Sequence, residues 1–217
     1  MMSLMKNLGI LTATVTTIGF ATTGEALALK KILPVEKALG FENPSISTDG
    51  SPVYNGDFLI KPDPFRPIVG DGVDEETTWT FDFSPVKNVK SVFQAGLILD
   101  LTPKSSLIDT DEFKIDGLKF INTDIIHNLE VGKKQDVFIN LLDFYSSSQL
   151  TKVFNENKGK LPFVYRDDAI VSRAELSLGV DVPEPASVVS LFAVGVLGTG
   201  SLLKRKQKKG NLGEDSK

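Results

Sequence analysis

Along residues 77–83, TTWTFDF, bulky apolar side chains fall on every second position: Trp79, Phe81 and Phe83 on one face, Thr78, Thr80 and Asp82 on the other. That alternation predicts a half-buried strand. The same period recurs over residues 92–101, VFQAGLILDL, where Phe93, Ala95, Leu97, Leu99 and Leu101 share a face and Pro103 stops the run soon after. Across residues 112–121 the phase of Phe113 and Ile115 slips at Asp116-Gly117 before Leu118 and Phe120, which predicts a tight turn or a bulge. Residues 136–144, DVFINLLDF, are apolar on both faces and predict a central strand. Residues 161–165 and 169–180 bracket an Asp167-Asp168 turn, and the second run sets Ala174, Leu176, Leu178 and Val180 against Arg173, Glu175 and Ser177.

One helix is predicted, over residues 147–157, with serines placed to cap its start and Gly159 to end it. Before the first clear strand, residues 29–40 contain Pro34 and read as a linker or an edge. Residues 41–76 carry Pro44, Pro52, Pro62, Pro64 and Pro67 and read as loop with one strand at 52–60. Six or seven short strands separated by turn signals predict an all-β fold, an antiparallel β-sandwich of jelly-roll type. The organisation expected is a leader at 1–28, a loop-rich start at 29–76, a sandwich core at 77–181, a C-terminal signal at 182–209 and a polar tail at 210–217.

The two ends break the pattern. Lys6 is followed by an uncharged run over residues 8–23 and then by Ala26-Leu27-Ala28. This is the outline of a secretory signal peptide cut after Ala28, with Ala26 and Ala28 fitting the shallow pockets of a signal peptidase. An uncleaved anchor or a buried helix is the competing reading. Near the C-terminus, residues 186–203 are 18 residues without a charge. As a helix they reach about 27 Å, close to the ~30 Å of a bilayer core. The basic cluster Lys204-Arg205-Lys206-Gln207-Lys208-Lys209 follows at once and favours the cytoplasmic side. Just before the apolar run stands Val182-Pro183-Glu184-Pro185, whose prolines hold the backbone extended for recognition by another protein.

This arrangement of VPEP, apolar helix and basic cluster resembles the PEP-CTERM sorting domain of exported proteins from Gram-negative bacteria that make extracellular polysaccharide. The resemblance implies recognition by an exosortase, a membrane protease-transpeptidase, with processing near Val182, Pro183, Glu184 and Pro185 and with Lys204, Arg205 and Lys206 as part of the signal. In this chain residues 210–217 continue past the cluster, where such domains usually finish. The stretches ILDLTP, IDGL, LLDFY and DDAIVSRAELSL also resemble ectodomains of cyanobacterial-type PEP-CTERM proteins, a likeness that carries no activity.

Charge and composition narrow the chemistry of the middle. Residues 29–182 hold 17 Lys and Arg against 24 Asp and Glu, a surplus of seven acids that argues against nucleic acid as a partner. With no cysteine there is no disulfide, thiol nucleophile or thiolate metal site. The sole histidine, His127, lies in the apolar stretch DIIHNL and reads as structural; any Ser-His-Asp triad would have to use it, and no GxSxG elbow is present. In the loop GDGVDEE, Asp71, Asp74, Glu75 and Glu76 offer closely spaced oxygens of the kind calcium takes, without the full EF-hand pattern; a solvated acidic loop is the favoured reading. Asp167-Asp168 is a second, weaker candidate. Among the aromatics, Tyr54 and Tyr165 are freest to stack on sugar rings, whereas Trp79 belongs with its phenylalanines in the core.

The sequence thus predicts an exported, non-enzymatic surface or extracellular-matrix protein. Its partners in transit are signal peptidase and exosortase, its membrane contact is the C-terminal helix, and no cofactor is expected, calcium at the acidic loops being the one alternative. Rival readings are a carbohydrate-binding module associated with exopolysaccharide, a small polysaccharide-active enzyme using paired carboxylates, and a single-pass membrane protein whose tail is never cut.

Overall fold

The computed structural model describes residues 28–62, 66–107 and 110–184. They form two five-stranded antiparallel sheets packed face to face. The first takes β1 (Ala28–Ile32), β2 (Glu36–Leu39), β6 (Ser91–Pro103), β8 (Gln135–Asn140) and β10 (Ala169–Pro183), in the order β1-β10-β6-β8 with β2 sharing the β10 edge with β1. The second takes β3 (Val53–Asn55), β4 (Phe58–Pro62), β5 (Glu75–Asp82), β7 (Glu112–Ile115) and β9 (Lys160–Asp167), in the order β3-β4-β5-β9-β7. After β5 each strand lies in the opposite sheet from the one before, so each of these connections crosses the end of the sandwich. The expected all-β, two-sheet fold is what the chain adopts.

The β5 alternation does what its period dictates: Trp79 and Phe81 point inward, with Phe83 just beyond, and Thr78, Thr80 and Asp82 point outward. Trp79 stacks on Phe163 of β9 at 5.5 Å and meets Phe58 of β4 edge-on at the same distance. Each such ring removes enough apolar surface from water to contribute about 2–3 kcal/mol. In β6 the alternation holds for Ala95, Leu97, Leu99 and Leu101, but Val92 and not Phe93 enters the core. The cause is a bulge: the register against β10 shifts between Gly179 and Val180, which turns the Phe93 ring onto the bare face of Gly179.

Three expectations need correction. Residues 136–144 are not a central strand: β8 is a sheet edge that buries Val137 and Ile139, leaves Phe138 62% exposed, and ends where the Asn140 side chain accepts from Leu142 N–H to start a 3-10 turn at Leu141–Asp143. Apolar content there reflected two successive elements. The start is more structured than expected: residues 29–40, read as a linker or an edge, hold the edge strands β1 and β2, and the single strand expected at 52–60 is the hairpin of β3 and β4. β1, β2 and β3 are short edge strands with little apolar alternation to read, while β4 buries Phe58 and Ile60 in alternation. Beside the expected helix there is a second, four-residue helix, α1 (Asp124–His127).

The helix α2 (Ser147–Glu156) follows its signals closely. Ser146 and Gln149 form a reciprocal capping box, and Leu150, Val153 and Phe154 turn one stripe into the core. Its end is set by Lys158 and Gly159, both with left-handed backbone at φ 55° and 84°. The slip at Asp116-Gly117 is a tight turn: Gly117 has φ 86°, and Ile121 returns to bridge Phe113.

Candidate functional site

The four carboxylates of the GDGVDEE loop do not converge. Arg66 forks onto Asp71, Nη1 to Oδ1 at 2.8 Å and Nη2 to Oδ2 at 2.6 Å, and this hydrogen bonding holds Asp71 below the usual carboxylate range. Glu75 faces inward at 5% exposure, its Oε1 accepting from the backbone N–H groups of Gly70 and Asp71, and burial pushes its carboxyl up to about 7. Glu76, next in the strand, faces outward and pairs with Arg166 at 3.0 Å and Lys61 at 3.9 Å. As a calcium set these residues are therefore dispersed, because strand alternation sends Glu75 and Glu76 to opposite faces and Arg66 claims Asp71.

Asp74 goes elsewhere. Pairing of Glu75 with Asp167 across β5 and β9 brings the Asp74 carboxylate to those of Asp167 and Asp168, all three within 4.8 Å of one another. Asp168 accepts from the backbone N–H of Asp74 at 2.9 Å and from the Ser105 hydroxyl. Behind them Asp111, fully buried, accepts from the Tyr165 hydroxyl at 3.2 Å and from the Asp168 N–H at 2.9 Å. Burial raises Asp167, a hydrogen bond from Thr110 pulls it back, and the charges of Asp168, Asp111 and Asp74 raise it again. These hard oxygens are of the class that calcium takes. The two acidic stretches looked separate in the sequence because only the β5–β9 register joins them.

The aromatic candidates also part company. Tyr165 is 1% exposed, and burial followed by the neighbouring Asp111 charge raises its phenol well above the usual value. No face of its ring is open to a ligand, so its expected role in stacking is withdrawn: residue 165 falls on the inward phase of β9. Tyr54 is 77% exposed and stands opposite Leu59 across β3 and β4. Leu59 lines an open trough of about 800 Å³ on the outer face of the second sheet, with Lys61, Glu76, Thr78, Lys114 and Arg166 among its walls. Phe120 carries Lys114 and Arg166 over its ring, each at 4.4 Å.

On the outer face of the first sheet, sequence reading missed an ionic network. Asp100 and Asp136 face each other across β6 and β8, and Arg173 Nη2 donates to both, at 2.7 and 3.2 Å. Lys134 reaches Asp100 at 3.2 Å and Glu42 at 2.9 Å. Burial pushes Asp100 up, but hydrogen bonds from Arg173, Asp136 and Lys134 overcome it and leave it below the usual range; the bond to Asp100 holds Asp136 above. His127, read from the sequence as structural, sits with Nε2 3.1 Å from the Asp111 carbonyl oxygen.

The C-terminal signal begins inside the fold. β10 continues to Pro183, with Ala28 paired to Pro183, Leu29 to Val182 and Lys30 to Asp181. Pairing of β10 with β6 ends at Asp181, so Val182 and Pro183 pair with β1 alone. Pro185, the 186–203 run, Lys204, Arg205 and Lys206 lie outside the described residues, as does Ala26. Among the described residues no helix is long and apolar enough to cross a membrane. No curated protein and no solved structure matches the chain. One motif does match, over residues 181–206. It begins where β6 releases β10 and takes in the prolines, the uncharged run and the first basic residues: the chain carries a PEP-CTERM protein-sorting motif, which indicates an exported, cell-surface-directed protein sorted by exosortase.

Proposed function

We propose that this protein is a non-enzymatic component of the cell surface or extracellular matrix, a β-sandwich exported through its N-terminal leader and cut by exosortase near Pro183-Glu184. The observation that carries this reading is the merger of the last strand with the sorting motif, which leaves the sandwich itself as the cargo. The fate of the carboxylates supports a structural role. Asp71, Glu76 and Asp100 are engaged by Arg66, Arg166 and Arg173. The 186–203 run spans the membrane in transit, with the basic cluster inside.

Intact mass and fractionation of the natively expressed protein test this. Loss of residues up to about 28 and of the region beyond about 182 is the expected result. A mass that retains the basic tail in cells containing the matching exosortase would overturn the processing step. Release of sugar from polysaccharide by the purified protein, abolished by a single Asp or Glu change, would overturn the non-enzymatic assignment.

A carbohydrate-binding role is the second reading, favoured by Tyr54 standing beside a trough walled by hydroxyl, carboxylate and cationic side chains. Tyr54→Ala should weaken retention on exopolysaccharide about tenfold without changing the melting temperature. Equal retention of both proteins would remove this reading.

A further inference from the structure

At the end of the sandwich where the chain leaves toward the sorting motif, a cavity of about 830 Å³ is rimmed by Lys87, Lys90 and Lys158 and floored by Val89, Phe154 and Pro183. No carboxylate lines it among the described residues. In a domain with a surplus of acids this is a local reversal of sign.

The rim is built rigidly. Asn155 of α2 donates to the Val89 carbonyl at 2.8 Å and accepts from the Val89 N–H at 3.2 Å, which clamps the loop carrying Lys87 and Lys90 to the helix. Lys90 N–H donates to the Asp181 carbonyl, tying the same loop to the first residue of the motif. Lys158 is held in left-handed backbone beside Gly159, whose N–H closes onto the Phe154 carbonyl. Of the acids nearby in sequence, Asp181 accepts from Ser91 through one oxygen, Glu156 pairs with Lys152, and Asp82 pairs with Lys160. Neither Lys87 nor Lys158 has an ion-pair partner among the described residues.

Charge is also divided along the molecule. β10 runs from Ala169, next to the Asp74, Asp167 and Asp168 cluster, to Pro183 beside the lysine cavity, and its 15 residues span roughly 45 Å at ~3.3 Å each. The Asp74, Asp167 and Asp168 cluster thus stands at one end of β10 and the lysine-rimmed cavity at the other.

We propose that the lysine-rimmed cavity is a docking surface for the anionic phospholipid headgroups of the membrane that the C-terminal segment enters. The inference rests on the reading that the 186–203 run spans that membrane. Lys87 and Lys158 engage headgroup phosphates, the apolar floor accepts the glycerol and upper acyl region, and the Asp74, Asp167 and Asp168 cluster at the far end of β10 is repelled outward. The uncut protein then stands upright on the membrane, with Glu184 and the motif at the bilayer surface.

The test uses the full-length chain in nanodiscs of zwitterionic lipid alone or with added phosphatidylglycerol. Amine labelling read by mass spectrometry compares Lys87 and Lys158 with Lys133 and Lys114. The expected result is labelling at residues 87 and 158 slowed about threefold or more by the anionic lipid, reversed by salt, with the controls unchanged. Equal labelling in both lipids overturns the proposal, and so does protection that appears only when exosortase is added, which would mark the cavity as a protein contact. Failure of the chain to insert defeats the membrane-spanning reading instead. Cosedimentation of the same chain and of its Lys87→Gln/Lys158→Gln variant with vesicles of the two compositions then decides the headgroup contact, which needs a preference for anionic vesicles that the variant loses.

Discussion

Glu75 shows how strand phase converts a loop carboxylate into a pH-sensitive core group. Alternation turns it inward, and burial lifts its folded value to about 7 from an ordinary 4.5. Between those values the folded state binds more protons than the unfolded one, so the contribution is full below 4.5 and is lost as pH rises through 7. Asp167, also raised, acts with the same sign from lower pH, whereas Asp71 and Asp100, both lowered, give stability that is lost only in stronger acid. Glu75→Gln keeps an oxygen for the Gly70 and Asp71 N–H groups and removes the titration. Its melting temperature should therefore vary less between pH 5 and pH 8 than that of the parent, by an amount on the order of 2 kcal/mol in stability. A variant with the full pH dependence of the parent would show that Glu75 is not its source.

At the scale of the element, glycines mark where the chain must turn, and two of them separate strain from packing. Gly117 and Gly159 both have left-handed backbone, φ 86° and 84°. A Cβ at Gly117 would meet nothing nearer than 3.9 Å, while one at Gly159 would stand 2.6 Å from the Phe83 carbonyl oxygen. Gly117→Ala should cost about 1 kcal/mol and Gly159→Ala about 3 kcal/mol, since the second adds a clash with backbone that cannot swing aside. Equal losses in urea denaturation would mean that the α2–β9 connection is looser than described.

The same scale explains what could be read in advance. The β5 and β10 faces and the caps of α2 were legible because their signals are local: a period of two, or a serine three residues before a glutamine. The β6 bulge was not, because whether Val92 or Phe93 enters the core depends on Gly179 some 85 residues away. Nor was the meeting of Asp74 with Asp167, or of Asp100 with Asp136, since each needs the register of a partner strand. Tyr165 was misplaced for a smaller reason: an aromatic flanked by turn residues looks free until its strand phase is fixed.

Over the whole molecule one apolar cluster draws on both sheets and on α2, from Trp79 and Phe163 through Leu97 and Leu176 to Phe154. Such a core predicts a single cooperative transition. Fluorescence of Trp79, the only tryptophan, should report the same melting midpoint as far-ultraviolet dichroism. An earlier loss of one signal would divide the sandwich into separate folding units.

With the leader cut after Ala28 as proposed, the pairing of Leu29 with Val182 has a practical corollary. A fluorescent protein or epitope joined at Leu29 would sit one strand spacing from the proposed exosortase cut, where its bulk would obstruct it. The turn at Asp49-Gly50 is exposed or nearly so and packs against Pro67, on the side of the acidic loop. A reporter inserted there would stand at the acidic-loop end of the sandwich, leave both proposed cut sites bare, and make the proposed maturation visible in a living cell.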